Sequence, residues 1–228
     1  MPGRDPCLSL RELLATIHLL RAPGGCPWDA GQTPESLAPY IIEEACEAVE
    51  AIETGAPAMV LDELGDLLLQ IVFQAEIFAE RGLFDFADVA AAITAKLQRR
   101  HPHVFAGDTS AASAAALAQQ WERIKRAERA EAAAASSPPG HLPVHLPALQ
   151  RAQKLVSRAG RGGPDALRPL PCPAGDGRLS EEALGWALLS LVRQAEACGL
   201  DAEQALRRLL QKIHQGAQEE PADPAGKA

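Results

Sequence analysis

The interval between Arg21 and Arg81 contains no lysine or arginine, although two Leu- and Ala-rich segments within it carry repeated glutamate and aspartate residues. The acidic side chains of this interval therefore have no basic partner on their own helices. An ionised carboxylate taken out of water is costly unless it is paired with a cation or bound to a metal. A chain with this pattern must leave these carboxylates in solvent or gather them around a cation.

The composition and the hydrophobic periodicity predict an all-α fold. Alanine supplies much of the 47% hydrophobic content and aromatic residues make up only 4%, which favours helices over sheets. Thr33 and Asp85 are typical N-caps, and Gly55 and Gly82 are typical stop signals. We expect helices over residues 8–21, 34–54, 58–81, 86–100, from about 113 onward, 180–198 and 201–215.

Proline and glycine divide the chain into two helical parts. Residues 136–148, SSPPGHLPVHLPA, have the proline density of an extended linker. We therefore predict a first helical domain over 1–135, the linker over 136–148, a second helical part over 149–216 and a disordered tail over 217–228. The Gly- and Pro-rich stretch 160–178 predicts irregular structure within the second part, and the APGGCPWDAGQ stretch predicts a break after the first helix.

Charge and cysteine content narrow the function classes. A net charge of −8 and a pI of about 5.3 are unfavourable for binding nucleic acid polymers, which reward clustered lysine and arginine. The five cysteines are scattered and form no CxxC, which favours a reducing cytoplasm over a disulfide framework or a zinc site. There is no signal-peptide pattern and no apolar run that could span a bilayer, so we expect no membrane association.

The first acidic segment, IIEEACEAVEAIE, is ambiguous by itself. At about 100° per residue, Glu43, Glu47 and Glu50 fall on one face of the predicted helix, and Glu44 lies at the edge of that face. A glutamate-rich face is more often a solvated face than a binding site.

The second acidic segment, LDELGDLLLQIVFQAEIF, favours a metal site. Glu63 and Asp66 lie three residues apart, and the helix they start becomes apolar on all sides, which is typical of a buried helix. Its acidic turns are then expected to border a packed interior. Carboxylates alone favour a hard cation, Mg²⁺ or Mn²⁺, over zinc. Gly65, between the two acidic residues, is expected to allow a close approach of the helices.

Basic and aromatic residues later in the first domain can be interpreted in two ways. Lys96, Arg99 and Arg100 end one predicted helix, where they complement the helix dipole or clamp the phosphates of a metal-bound nucleotide. Trp28, in a Gly- and Pro-rich loop, is either a packing plug or a stacking surface for a base. Trp121 is expected in the core or an interface. The chain has no GxxxxGK[ST] loop and no evident Ser/His/Asp or Cys/His nucleophile, so phosphate must be bound by metal and basic side chains.

Three segments of the first domain resemble the MazG family of nucleoside triphosphate pyrophosphohydrolases. They are GGCPWDAGQTPESLAPYIIEEACEAVEAI, DELGDLLLQIVFQAE and GLFDFADVAAAITAKLQRRHPHVF, and the resemblance is dense over residues 8–130. It implies an all-α helical bundle, a homodimer, and Mg²⁺-dependent cleavage of nucleoside triphosphates between the α- and β-phosphates as nucleotide-pool housecleaning. It also implies residue roles, with Glu44, Glu47, Glu63 and Asp66 as metal ligands, Glu43 acting on the attacking water, Lys96, Arg99 and Arg100 on the phosphates, and Trp28 near the nucleotide.

The second half resembles a degenerate copy of the same domain. ELGDLLLQIVFQAE (63–76) aligns with ALGWALLSLVRQAE (183–196) at an offset of 120 residues. The alignment replaces Glu63 with Ala183 and Asp66 with Trp186, and no EExxE segment precedes it. We therefore expect this repeat to be catalytically inactive and to survive as a packing or dimerisation surface.

Two other function classes remain open from the sequence. The chain could be a non-catalytic nucleotide-sensing or protein-interaction module, which the lost second site favours. It could also be a helical scaffold whose acidic faces are only solvated. For some two-domain relatives the resemblance assigns most activity to the C-terminal copy, and this would leave a chain like this one with a binding role. The intact carboxylates of both first-half segments favour the enzyme.

Overall fold

The computed structural model describes residues 3–107, 113–133, 142–160 and 180–218. Within these ranges all regular structure is helical and no strand occurs, which confirms the all-α prediction. The helices are α1 (Pro6–Arg21), α2 (Pro27–Ala30), α3 (Pro34–Thr54), α4 (Pro57–Glu80), α5 (Phe86–Arg100), α6 (Pro102–Phe105), α7 (Ala114–Ala133), α8 (Ala148–Gly160), α9 (Glu181–Ala197) and α10 (Ala202–Gln218).

The chain divides into two compact units, Met1–Glu128 and Arg129–Ala228, which we call unit 1 and unit 2. Unit 1 holds α1 to α6 and most of α7, and unit 2 holds α8 to α10. Of the predicted linker, residues 142–148 are described; 142–147 are not helical, whereas Ala148 already begins α8. Residues 134–141, the predicted irregular stretch beyond Gly160 and the tail beyond Gln218 lie outside the described residues. The predicted domain boundaries therefore stay predictions.

Local signals set the ends of the helices around the acidic segments. Thr33 caps α3 in a reciprocal pair, in which its hydroxyl accepts from the Ser36 N–H at 3.2 Å and the Ser36 hydroxyl accepts from the Thr33 N–H at 2.9 Å. Gly55 ends α3 with a φ of +74°, a conformation that favours glycine. Asp85 and Asp88 form the same kind of reciprocal pair at the start of α5. These caps confirm the predicted bounds of α3 and α5.

Three short helical segments differ from the prediction. The APGGCPWDAGQ stretch was expected only to interrupt regular structure, and no helix was predicted between residues 100 and 113. Pro27 and Pro102 nevertheless each occupy the first turn of a four-residue helix, where a backbone N–H is not needed for a helical hydrogen bond. The helix α8 was not predicted at all. Its half-buried Leu149, Ala152 and Val156 recur at helical spacing and place α8 against α9.

The core of unit 1 lies where α1, α3 and α4 meet. It consists of five buried side chains, Ile17, Leu37, Val72, Phe73 and Ile77. Burial of an aliphatic or aromatic side chain contributes roughly 1.5–3 kcal/mol, so this cluster is a main source of the stability of unit 1. Because its α4 members all follow residue 70, the first half of α4 is left to carry the acidic residues.

The first half of α4 borders the packed interior on one side, as expected, and is exposed on another. Leu61 is 76% exposed, and Leu64, Leu68 and Ile71 are exposed on the same helix. The reason is that, among the described residues, the helices that contact α4, which are α1, α3 and α5, leave this side of it uncovered. We call these four side chains the outer face of α4. The acidic residues thus border the packed seam with α3, and they also lie next to solvent.

Unit 2 packs α8, α9 and α10 together. The side chain of Gln153 on α8 joins the turn between α9 and α10, donating to the Leu200 carbonyl at 2.8 Å and accepting from the Ala202 N–H at 2.9 Å. Val192 on α9 is fully buried, whereas Leu188 on the same helix is exposed.

Within the described residues, no helix has both the length and the apolar content that crossing a bilayer needs. The four described cysteines, Cys7, Cys26, Cys46 and Cys198, are unpaired thiols. Cys172 lies outside the described residues.

Candidate metal and nucleotide site

The packed seam between α3 and α4 determines which carboxylates meet. On α3 the stripe that faces α4 runs through Glu44 and the buried Ala48 and Ala51, at spacings of four and three residues. On α4 the facing stripe runs through Glu63, Asp66 and Gln70, at spacings of three and four residues. The small alanine side chains let the two helices approach closely, and the carboxylates lie at one end of this contact.

Three carboxylates form a cluster that can hold a metal ion. One oxygen each from Glu44, Glu63 and Asp66 lie within 4.8 Å of one another. Glu44 and Glu63 are half-buried and Asp66 is exposed. Oxygens around one Mg²⁺ lie about 2.0–2.1 Å from the ion, so a small inward movement of these side chains brings all three onto a single cation. A donor set of carboxylates alone suits a hard divalent ion, and the residues therefore fit Mg²⁺ or Mn²⁺.

The electrostatics of the cluster favour cation binding. Burial raises the pKa of the Glu44 carboxyl above its ordinary value, and the negative charges of Asp66, Glu47 and Glu43 raise it further. Burial likewise raises the pKa of Glu63, followed by the charges of Glu47, Asp66, Asp62 and Glu44. No basic group is among the causes of either shift. A bound cation would reverse this repulsion, because it supplies the positive charge that α3 and α4 lack.

The predicted acidic residues are not all equivalent in the structure. Glu44, predicted at the edge of the acidic face, is the α3 carboxylate that joins the cluster. Glu47 and Glu43 are exposed and do not belong to the group of oxygens within 4.8 Å, although both charges act on Glu44. The assignment of Glu47 as a fourth ligand and of Glu43 to the attacking water therefore stays a prediction.

Gly65 does not have the predicted packing role. A Cβ placed on Gly65 would meet no heavy atom within 4 Å among the described residues, so this glycine is not needed for the close approach of α3 and α4. The close contact depends on Ala48 and Ala51 instead, which are buried between the helices.

The predicted phosphate-binding residues lie on the last turns of α5. Arg99 and Arg100 converge on a single carboxylate, that of Glu128 on α7, with Nη2–oxygen distances of 2.6 Å for both. The Glu128 side chain is only 16% exposed. Its pKa is lowered, first by the hydrogen bond from Arg100 and then by that from Arg99, against an opposing effect of burial. Lys96 is exposed one turn earlier. The arginine pair can thus bind one compact anion.

An aromatic pocket of about 300 Å³ lies beside this arginine pair. It is lined by His101, His103, Leu117 and Trp121. The Trp121 indole N–H donates to the Arg100 carbonyl at 2.8 Å, and its ring meets that of His101 edge-on at 5.2 Å. The sequence indicated only a place in the core or in an interface for Trp121. The HPH tripeptide after the basic turn was the available signal, but its partner Trp121 lies a further helix along the chain.

Trp28 is not the packing plug that its loop suggested. The side chain is 57% exposed on the short helix α2. Arg21 anchors the loop that carries Trp28, because its guanidinium donates to the carbonyls of Asp29 and Gln32. Trp28 is therefore a surface aromatic on an anchored loop, and its predicted contact with a nucleotide stays a prediction.

Corresponding residues of the sequence repeat on α4 and α9 are buried or exposed to a similar extent. Val72 on α4 and Val192 on α9, which are 120 residues apart, are each 1% exposed. The outer-face residues Leu64 and Leu68 likewise correspond to the exposed Leu184 and Leu188. No second group of carboxylates comparable to the first occurs among the described residues.

The comparisons with known proteins agree with the geometry. Residues 32–105, which span α3 to α6, match the family model described as the MazG nucleotide pyrophosphohydrolase domain. A Thermotoga maritima protein named nucleoside triphosphate pyrophosphohydrolase/pyrophosphatase MazG is 40% identical over 92% of this chain and 84% of the relative. An Escherichia coli K12 protein named nucleoside triphosphate pyrophosphohydrolase is 39% identical over 89% of this chain and 83% of the relative. Because this identity extends over most of both sequences, the chain belongs to the MazG family.

Proposed function

We propose that this protein hydrolyses nucleoside triphosphates to nucleoside monophosphate and pyrophosphate at the α3–α4 seam. The observation that carries the proposal is the group formed by Glu44, Glu63 and Asp66. Their oxygens lie within 4.8 Å of one another, and no basic group in the described part of the chain acts on Glu44 or Glu63. The names of the two relatives described above support the same reaction.

The chemistry follows from the donor set. Glu44, Glu63 and Asp66 would hold Mg²⁺, or Mn²⁺ in its place, with Glu47 as a fourth ligand. When bound, the cation offsets the charge of the triphosphate and of the departing pyrophosphate. Water attacks the α-phosphorus, a new P–O bond forms, and the bond to the bridging oxygen of the β-phosphate breaks. We assign the proton of that water to Glu43, an exposed carboxylate next to the cluster.

The substrate would be bound by groups beyond the carboxylates. Lys96, Arg99 and Arg100 are the proposed phosphate contacts, since the two guanidinium groups already converge on one anion in this chain. Trp28 is the proposed contact for the nucleoside, as an exposed aromatic ring on an anchored loop.

Product analysis tests the proposal directly. The full chain is incubated with a panel of nucleoside triphosphates and Mg²⁺, and pyrophosphate and orthophosphate are measured separately. We expect pyrophosphate from the wild type and its loss in Glu63→Gln. Glu50→Gln, an exposed glutamate on α3 outside the cluster, is the matched control and should keep its activity. Orthophosphate would indicate a phosphatase, and nucleotide binding without any product would indicate the sensing module instead.

The outer face of α4 supports a homodimer. It forms a continuous exposed apolar strip, made up of Leu61, Leu64, Leu68 and Ile71. Single exposed leucines are common on protein surfaces, whereas a contiguous apolar patch is typical of an interaction site. We propose that two copies pair through this strip. We also propose that unit 2 is a structural repeat without chemistry of its own, that the protein works in the cytoplasm, and that it binds no nucleic acid polymer.

A further inference from the structure

Gln70 on α4 is a buried amide that the packing of unit 1 does not account for. The residue is 7% exposed, and its Oε1 has no hydrogen-bond partner among the described residues. Buried polar side chains are nearly always paired, so an unpaired amide oxygen is unfavourable for folding and calls for a separate explanation.

The position of Gln70 links it to the acidic cluster. Along the inner stripe of α4, Asp66 is followed by Gln70 one turn later, and Phe73 of the core comes next. Gln70 therefore occupies the boundary between the carboxylates and the hydrophobic core. An apolar side chain of similar size at this position would extend the core towards the cluster without burying an amide.

Across the seam, the Gln70 side chain interacts with Glu44 on α3. The Gln70 side chain makes a hydrogen-bond contact with Glu44 that favours the carboxylate form. An amide has this effect when its N–H points towards the carboxylate. The amide oxygen then points away into the seam, which explains why it has no partner there.

We propose that Gln70 is a positioning residue, whose amide orients the Glu44 carboxylate towards Glu63 and Asp66 so that the three can share one cation. The inference rests on the proposed metal site. Partners behind a metal ligand hold it in its binding orientation, and their removal commonly weakens metal affinity by about 10- to 100-fold. The unpaired oxygen is then a stability cost associated with the site.

The test separates a positioning role from a structural one. Mn²⁺ affinity is measured by isothermal titration calorimetry on the full chain without nucleotide, and the melting temperature is measured without metal. In Gln70→Met we expect the Mn²⁺ affinity to fall about tenfold, while the melting temperature stays equal or rises because the unpaired oxygen is gone. Gln70→Asn keeps an amide but shortens its reach by one methylene, so it should also weaken Mn²⁺ binding. This variant provides the test if the methionine variant does not fold.

Gln74→Met is the matched control on the same helix. Gln74 donates to the Pro34 carbonyl at 3.0 Å and takes no part in the cluster, so its replacement should lower the melting temperature and leave Mn²⁺ affinity unchanged. Wild-type Mn²⁺ affinity in both Gln70 variants would overturn the positioning role. Failure of the wild type itself to bind Mn²⁺ would overturn the metal site and this inference with it. If the wild type binds Mn²⁺ and hydrolyses nucleotide, and the Gln70 variants keep the wild-type Mn²⁺ affinity, the proposed function is retained and only the role of Gln70 is overturned.

Discussion

The guanidinium of Arg21 makes two hydrogen bonds of 2.7 Å with the carboxylate of Glu80, joining the end of α1 to the end of α4. The Arg21 side chain is 5% exposed, whereas that of Glu80 is 42% exposed. The same guanidinium also donates to the backbone carbonyls of Asp29 and Gln32. A single basic side chain thus anchors both the core helix and the loop that carries Trp28.

Replacement of Arg21 by methionine is expected to lower the free energy of unfolding by about 2 kcal/mol, because two loop carbonyls lose their donor in a partly closed site. Glu80→Gln should cost less, since its exposed side chain can be solvated. Urea unfolding monitored by circular dichroism measures both effects. Arg11→Met, on the exposed side of α1, is the control. Equal stability of the Arg21 and Arg11 variants would show that the anchor is dispensable.

The acidic cluster is expected to destabilise the metal-free fold at neutral pH. The pKa values of Glu44 and Glu63 are raised in the folded chain, so the folded state holds protons more tightly than the unfolded state does. Stability is then lost as the pH rises from the ordinary carboxyl pKa of 4.5 through the raised values. Glu63→Gln removes one of these charges and should raise the melting temperature of the metal-free protein at pH 7.

The comparison at two pH values tests this explanation of Glu63→Gln. The difference in melting temperature between the variant and the wild type should shrink as the pH falls below 4.5, where the wild-type carboxyls are protonated in both states. Mg²⁺ should stabilise the wild type and not the variant. A variant that is less stable than the wild type at pH 7 would show that Glu63 makes a favourable contact in the metal-free fold.

Local sequence signals predicted the helices better than they predicted the site. The bounds of α3 and α5 follow from Thr33, Gly55 and Asp85, which act on their own backbone neighbours. The choice of Glu44 as the inner carboxylate depends on which side of α3 meets α4. The burial of Ala48 shows which side that is. Because alanine is small, its position on a helical wheel does not distinguish a packed face from an exposed one.

Contacts between distant segments were beyond the reach of the sequence patterns. Glu128 lies 29 residues after Arg99, and nothing in the spacing of either residue indicates that they meet. The later turns of α4 were predicted to be buried on all sides because they are apolar, yet Ile71 is exposed, and no element that the structure describes covers the outer face. Apolar content predicts that a face needs a partner, and it does not identify that partner.

Glu128 is expected to compete with the triphosphate for the arginine pair. In Glu128→Gln the neutral amide should release Arg99 and Arg100, and pyrophosphate should then inhibit hydrolysis about fivefold more tightly, the equivalent of about 1 kcal/mol. Inhibition constants for pyrophosphate measure the change. Glu203→Gln, which breaks the Glu203–Arg207 pair of unit 2, is the control. Weaker inhibition in Glu128→Gln would instead mean that Glu128 holds the arginines in place for the substrate.

Unit 1 is expected to be sufficient for the reaction. A fragment of residues 1–133, which ends with α7, retains the acidic cluster, the basic end of α5 and Glu128. It should therefore keep most of the kcat/KM of the full chain for pyrophosphate release. Circular dichroism and thermal melting establish first that the fragment is folded. A folded but inactive fragment would assign unit 2 a larger role than a structural repeat.

The outer face of α4 is expected to hold two copies of the chain together. Leu68→Glu places a charge in this apolar strip, and burying it against a partner would be too costly, so the dimer should dissociate to a species near the chain mass of 24.2 kDa. Size-exclusion chromatography with light scattering at micromolar concentration measures the mass. Leu19→Glu, at an exposed leucine of α1, is the control and should remain dimeric, and Leu188→Glu tests the equivalent position on α9. Dissociation by Leu188→Glu but not by Leu68→Glu would place the interface on the degenerate repeat, because it would show that Leu188, and not Leu68, is buried against the second copy.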